Sequence, residues 1–337
     1  MCCLHINTQL DILIPVSYFI ILPRYQHTNM WARNTSIPFN PSKDIPSLAG
    51  KVILVTGGSS GLGRQSVLEF ARHSPREIWL AARNVKKARQ TVDEIQKEVL
   101  GVPIGVLELD LSSFESIKQA AALFKKESDR LDILMLNAGI MATSPGLTKE
   151  GYEMQFGTNH MGHVLLTKLL LPVLESTVEA GGNVRIVSLS SEGHASWRKG
   201  GFDFESLKTR AEELSALQRY FRSKLANVLW ARQMAKEYPQ FTVAAVHPGV
   251  VQTNLAEGST GVPRIVVLMT RVLARFLKTV EDGAKNQLWA SVADDVTSGE
   301  YFTPVGVTGN ASADGMDDKL AQEVWDWTEK ELGAYCS

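Results

Sequence analysis

From Lys51 onward, short runs that are apolar throughout alternate with longer stretches in which apolar residues return every three or four positions. Lys51–Thr56 (KVILVT), Glu77–Ala82 (EIWLAA), Pro103–Leu109 (PIGVLEL) and Leu131–Leu136 (LDILML) have strand length. Val184–Leu189 (VRIVSL), Phe241–Val246 (FTVAAV) and Gly299–Pro304 (GEYFTP) repeat the signal. Between them, Gly61–His73 and Asn84–Leu100 read as helices, as does a stretch around Tyr220 that runs to about Met234. A strand that is apolar at every position offers no face to water, so it must be covered on both sides. Such strands alternating with helices predict an α/β fold, a doubly wound parallel sheet in three α/β/α layers within a single domain. Ligands are then expected beyond the carboxyl ends of the strands.

The flanks break this rhythm. Ile12–Pro23 (ILIPVSYFIILP) is apolar and uncharged, but it is interrupted by Pro15 and falls short of the roughly 20 residues that span a bilayer. No Lys or Arg precedes it and Asp11 abuts it, so the basic region of a secretory signal is missing. A weak membrane-surface anchor is one reading of residues 1–29; a true translation start at Met30 is the other. From Thr35 to Gly50 three prolines mark an extended arm. At the far end, Asp317–Leu332 reads as a polar amphipathic helix whose Trp325 and Trp327 are expected to cover the last strand.

Composition narrows the classes. With 337 residues, 44% of them hydrophobic, the chain can bury a large core and is not a disordered protein. Its 35 basic and 36 acidic side chains leave a charge of −1, which gives no general attraction to nucleic acid. Cys2, Cys3 and Cys336 lie at the chain ends, where they form neither a disulfide framework nor a zinc site. A reducing, cytoplasmic compartment is expected, with membrane association left open by the leader.

Candidate chemistry gathers at the predicted strand ends. Thr56-Gly57-Gly58-Ser59-Ser60-Gly61-Leu62-Gly63 sits between the first strand and the first helix. Glycines there permit a tight turn and close backbone approach to a pyrophosphate, while the helix start offers free N–H groups. The second strand ends Ala81-Ala82-Arg83-Asn84 with no carboxylate to accept ribose hydroxyls, and Arg64 adds a second cation. Two guanidinium groups suit a 2′-phosphate, so the expected cofactor is NADP(H) rather than NAD. Farther on, Tyr220 and Lys224 are four residues apart in a helical stretch, which puts phenol and ammonium on one face. The ammonium should lower the phenol pKa from its usual value near 10. Ser190 and Ser191 end the fifth strand, where a hydroxyl can hold a substrate oxygen. His160 and His163 have a spacing that metal sites use, but helix packing is the favoured reading because no third ligand is evident. A hydrolase is rejected for want of a GxSxG elbow.

The TGxxxGxG spacing, Asn137-Ala138-Gly139, Asn159-His160-Met161-Gly162-His163, Tyr220-x-x-x-Lys224 and His247-Pro248-Gly249-Val250-Val251-Gln252-Thr253 occur in one order. Together they resemble the short-chain dehydrogenase/reductase family over about Lys51 to Pro304, and within it the retinol-dehydrogenase-like group. The resemblance implies a Rossmann-type fold with a dinucleotide-binding catalytic domain at 51–310, a leader or arm at 1–50 and a helical tail at 311–337. It implies cofactor contacts from Thr56, Gly57, Ser59, Ser60, Gly61, Leu62, Gly63, Arg64 and Arg83. Asp110-Leu111 would support the adenine, and Asn137, Ala138 and Gly139 would allow close approach. Tyr220, Lys224, Pro248, Gly249, Val251 and Thr253 would border the nicotinamide side.

For catalysis the resemblance implies Tyr220 as acid/base, Lys224 on the ribose, Ser191 in preference to Ser190 on the substrate oxygen, and Asn159 in a proton relay. Glu192–Arg219, with Trp197, Phe202 and Phe204, is expected to wall the substrate. Val262–Lys278, with Arg264, Arg271 and Arg275, reads as a lid within about 254–280, as an interfacial membrane helix, or as core with a basic edge; the lid ranks first. The expected activity is interconversion of a lipophilic ketone or aldehyde and its alcohol, by a monomer or homodimer with no nucleic-acid partner. A catalytically silent NADPH-binding regulator on the same fold is the alternative.

Overall fold

The computed structural model describes residues 35–197, 201–251, 259–261 and 277–335. Seven strands, β1 (Val52–Thr56), β2 (Glu77–Ala82), β3 (Ile104–Glu108), β4 (Ile133–Leu136), β5 (Arg185–Leu189), β6 (Thr242–Val246) and β7 (Tyr301–Phe302), form one sheet in the order β3-β2-β1-β4-β5-β6-β7. Every pairing is parallel. The order reverses between β1 and β4, so the carboxyl ends diverge there and leave a crevice. Helices α1 (Gly61–Ala71), α2 (Val85–Glu98), α3 (Phe114–Glu127), α4 (Gly162–Glu179), α5 (Ala216–Glu237), α6 (Val280–Val292) and α7 (Asp318–Leu332) cover the sheet.

β1 explains the all-apolar pattern: its five residues are buried, and alternate side chains join different cores. Val52 and Leu54 join one cluster with α3, α4 and α5, while Ile53 and Val55 join the other with α1 and α6. The strands are shorter than their apolar runs. β4 starts two residues late because Asp132, fully buried, accepts hydrogen bonds from Val52 N (2.9 Å) and from the Arg130 guanidinium (2.7 and 2.8 Å). The last run shrinks to Tyr301–Phe302, since Thr303 and Val307 pair across a turn.

Two flanks join the body. Ile45 and Leu48 of the arm are buried, Pro41–Asp44 forms a helical turn capped by Asn40, and Ile37 N donates to Val305 O (2.9 Å). In the tail, Leu320, Ala321, Val324 and Leu332 of α7 enter the main core. The tail packs on α5 and on the aromatic segment 202–204, rather than over the last strand: Trp327 stacks on Phe204 at 5.5 Å. Trp197, Phe202 and Phe204 are not in the wall of the cleft: Phe204 stacks on Trp327 of α7, Phe202 stacks on Phe204, and Trp197 packs beside Phe202. Met154–Glu179 has the length and hydropathy to cross a membrane, but 61% of its apolar window is buried inside the protein, as a core helix should be. The leader residues 1–29, Cys336 and most of the expected lid (254–258 and 262–276) lie outside the described residues.

Candidate active site

A cleft of about 410 Å³ opens where the carboxyl ends of β1, β2, β4 and β5 diverge. Gly57, Ser59, Ser60, Gly61 and Leu62 form its floor. Gly57 has φ +68°, a conformation that favours glycine, and a Cβ there would lie 3.0 Å from Ala138 Cα. Gly63 is not in the wall; a Cβ on it would come within 2.4 Å of Gly57 O and 2.6 Å of Asn137 Nδ2, so it lets α1 start against the loop. Thr56 lies beneath, with its hydroxyl accepting Ala138 N (3.0 Å), while Asn137 Nδ2 donates to Thr56 O (2.8 Å).

At the end of β2, Arg83, Asn84 and Lys87 line the cleft. Asn84 caps α2 by accepting Lys87 N (2.9 Å), which turns the first helical residues toward the opening. Lys87 is absent from the residues expected at the site. Arg64 is elsewhere: its guanidinium pairs with Glu94 (3.2 Å) and Glu98 (3.8 Å), and it is not in the wall. Arg64 thus lies along α2, and Arg83 and Lys87 are the cations in the wall at this end. Asp110 and Leu111 follow β3 into the wall; Asp110 Oδ1 accepts Ser112 N and Oγ (3.0 and 2.6 Å).

The opposite side is built by α5. Ser215 and Gln218 close a capping box at its start, and Tyr220 and Lys224 follow on the face toward the sheet end. Lys224 Nζ donates to Leu189 O (2.9 Å) and sits 5.7 Å from the Tyr220 ring centre. Burial lowers Lys224 to about 8. Burial also pushes the Tyr220 phenol up to about 12, only partly opposed by its hydrogen bond with Ser191. That corrects the expectation of a lowered phenol: desolvation by burial outweighs the opposing hydrogen bond with Ser191.

The two serines are divided in use. Ser190 Oγ donates to Lys224 O (2.7 Å), though the residue borders the cleft, whereas Ser191 is the one beside the phenol. Ser191 Oγ also accepts Gly193 N (3.1 Å) at the start of a 3₁₀ turn. Asn159 is fully buried. Its Oδ1 accepts Ile140 N (2.8 Å), and its Nδ2 donates to Ile140 O and Ser223 Oγ (both 2.9 Å).

Pro248 reaches the cleft. Gly249 and Val251 do not: Gly249 turns at φ +89° beside Lys278, and Val251 packs against Gly283 of α6. Thr253 lies outside the described residues. Ala82, Leu109, Ile140, Thr158 and Leu189 also line the cleft and were not anticipated. They are apolar or small residues next to expected positions, which carry no chemical signal of their own.

The histidines of the NHMGH segment face different ways. His160 meets Asn227 Oδ1 (3.3 Å) and Thr328 Oγ1 (3.2 Å), and His163 meets Asn159 O (3.0 Å) and Thr56 Oγ1 (2.9 Å). Among the described residues no group of three potential metal ligands gathers.

A switch-point crevice with a glycine turn at one end and a Tyr–Lys pair at the other defines a dinucleotide-dependent α/β oxidoreductase. Comparison with known proteins agrees. The short chain dehydrogenase family model matches residues 51–200. A short-chain dehydrogenase/reductase of Aspergillus calidoustus is 37% identical, over 86% of this chain and 95% of its own. Human retinol dehydrogenase 13 is 35% identical, over 85% of each chain. A short-chain dehydrogenase from Escherichia coli CFT073, solved in complex with NADPH, is 25% identical with a TM-score of 0.59, covering 76% of this chain and 98% of that one. The chain belongs to the short-chain dehydrogenase/reductase family, oxidoreductases that transfer hydride with a nicotinamide cofactor.

Proposed function

We propose that the protein is an NADP(H)-dependent oxidoreductase that interconverts a lipophilic ketone or aldehyde and its alcohol, with Tyr220 as acid/base. The observation that carries this reading is the Tyr220 phenol at one end of the cleft, with Lys224 5.7 Å from its ring centre and the Ser191 hydroxyl beside it. The residues present fit a dinucleotide. Gly57 and Gly63 keep the loop free of side chains where any Cβ would crowd Ala138, Asn137 or the loop itself, and Arg83 and Lys87 stand at the far end for a 2′-phosphate. A lipophilic substrate is supported by Ile140 in the wall, by Val250 exposed beside Pro248, and by the likeness to a retinol dehydrogenase.

The bound cofactor supplies or accepts the hydride. In the reducing direction Tyr220 gives its phenolic proton to the carbonyl oxygen as the carbon takes the hydride, and Ser191 holds that oxygen in place. The phenolate regains its proton from the side of Lys224. An ammonium held near 8 gives up and recovers a proton readily at neutral pH.

Tyr220→Phe tests the reading. With NADPH and a panel of ketones, aldehydes and quinones, turnover should fall by roughly a thousandfold while NADPH affinity stays within about threefold. Retained turnover would remove Tyr220 from its role. Tight NADPH binding by the unaltered protein with no oxidation across the panel would favour a silent regulator instead.

A further inference from the structure

His163 lies at the start of α4 with 3% of its surface exposed, and it is not in the cleft wall. It follows a π-helical turn, Gly157–Met161, a widened turn of a kind found frequently at functional sites. A carbonyl only accepts, so Nδ1 must donate to Asn159 O (3.0 Å), which leaves Nε2 to accept the Thr56 hydroxyl (2.9 Å). Thr56 in turn accepts Ala138 N at the end of β4. The ring therefore joins the π turn to the strand end that carries the glycine loop.

The Asn159 end of this link borders the reacting groups. Asn159 Oδ1 and Lys224 Nζ converge on Gly139, where a Cβ would lie 3.3 and 3.6 Å from them. Through Ser223 Oγ, which donates to Tyr220 O (2.7 Å), the asparagine also reaches the backbone of the tyrosine. Burial holds the imidazole near 4, with the Lys224 charge a smaller contributor in the same direction, so the ring is neutral and Nε2 stays an acceptor at neutral pH.

We propose that His163 is a positioning residue for proton exchange at Tyr220 and Lys224: its imidazole bolts the Asn159 turn to Thr56 and keeps that turn in register with the lysine. A satisfied core histidine with no such role would make similar contacts but would affect stability alone. The proposal rests on the catalytic reading of Tyr220 and Lys224 given above.

His163→Phe keeps the ring volume and removes both hydrogen bonds, whereas His163→Asn keeps a donor near the position of Nδ1. Thr56→Val attacks the link from the other end. Each variant is assayed with NADPH and the panel carbonyl that the unaltered protein reduces fastest, and rates are normalised to the fraction of protein that binds NADPH. His163→Phe should lower kcat by roughly 10- to 100-fold with both KM values within about threefold, and should raise the solvent deuterium isotope effect on kcat. His163→Asn keeps the Asn159 end of the link but cannot reach Thr56, so its kcat should stay within about threefold of the phenylalanine variant, with the isotope effect still raised.

A folded His163→Phe with unchanged kcat and isotope effect overturns the proposal, as does a His163→Asn that restores both without the Thr56 contact. Should His163→Phe not fold, Thr56→Val decides: a lower kcat with a larger isotope effect supports the link, and an unchanged isotope effect overturns it. Turnover retained in Tyr220→Phe would instead sink the catalytic reading itself, whatever the His163 variants do.

Discussion

Arg83 and Lys87 line the cleft beyond β2, with Asn84 between them capping α2, whereas Arg64 lays its guanidinium on Glu94 and Glu98. The two carboxylates hold Arg64 along α2, outside the cleft wall, and their charge lowers the positive potential it offers a phosphate. Arg83→Ala and Lys87→Ala should each weaken NADPH binding by about 10-fold or more and leave NADH nearly unaffected. Arg64→Ala should change neither by more than about threefold. Cofactor titrations by fluorescence check this, and equal losses for NADPH and NADH would remove the 2′-phosphate role. Arg83 was legible because it directly follows an apolar strand. The loss of Arg64 to carboxylates on α2 was not, since it depends on how two helices lie together. Nor was Lys87, whose direction is set by the Asn84 cap. Which serine stands beside the phenol is likewise a matter of side-chain direction at a strand end, and two adjacent serines read alike in sequence.

Helix α5 brings together the groups that one face of a helix can carry. Tyr220 and Lys224 share the face toward the sheet end, and behind them Arg219 and Arg222 are buried beside Glu153 (3.4 and 4.0 Å). Arg219 donates to Ala211 O, Leu214 O and Thr143 O, which ties the segment before the helix to the loop after β4. The Ser215–Gln218 capping box fixes where this helix begins. Ser215→Ala should therefore cost about 1 kcal/mol of stability, read as a lower urea midpoint at unchanged slope. A shift below about 0.3 kcal/mol would mean the cap is not needed. The helix itself was plain from periodicity. The segment before it was misjudged: Phe202 and Phe204 suggested a substrate wall, yet their rings belong with Trp327, more than a hundred residues later. Local pattern marks such rings as buried but does not say against what.

For the molecule as a whole, four buried histidines set the acid limit. Burial lowers His160 and His247 to about 3 and His163 and His194 to about 4. The unfolded chain binds these protons first, near pH 6.5, so their contribution is intact above that value and lost as pH falls toward 4 and 3. At pH 5 the loss is on the order of 2 kcal/mol per ring. The urea midpoint should drop steeply between pH 7 and 5, and His160→Gln should flatten that drop. A midpoint independent of pH over this range would contradict the burial of these rings as neutral groups.

The doubly wound sheet was legible because a strand buried on both faces has no polar alternation to hide it. The anchoring of the arm was not, because Ile37 finds Val305 only after the chain has closed. That anchoring bears on self-association. β7 is the outermost strand on its side and only two residues long, and the Ile37 amide already occupies a carbonyl just beyond it. Another polypeptide arriving there finds a short rim that is partly taken, so the sheet resists sideways growth at that margin, and a second copy would have to dock by side chains rather than by continuing the ladder.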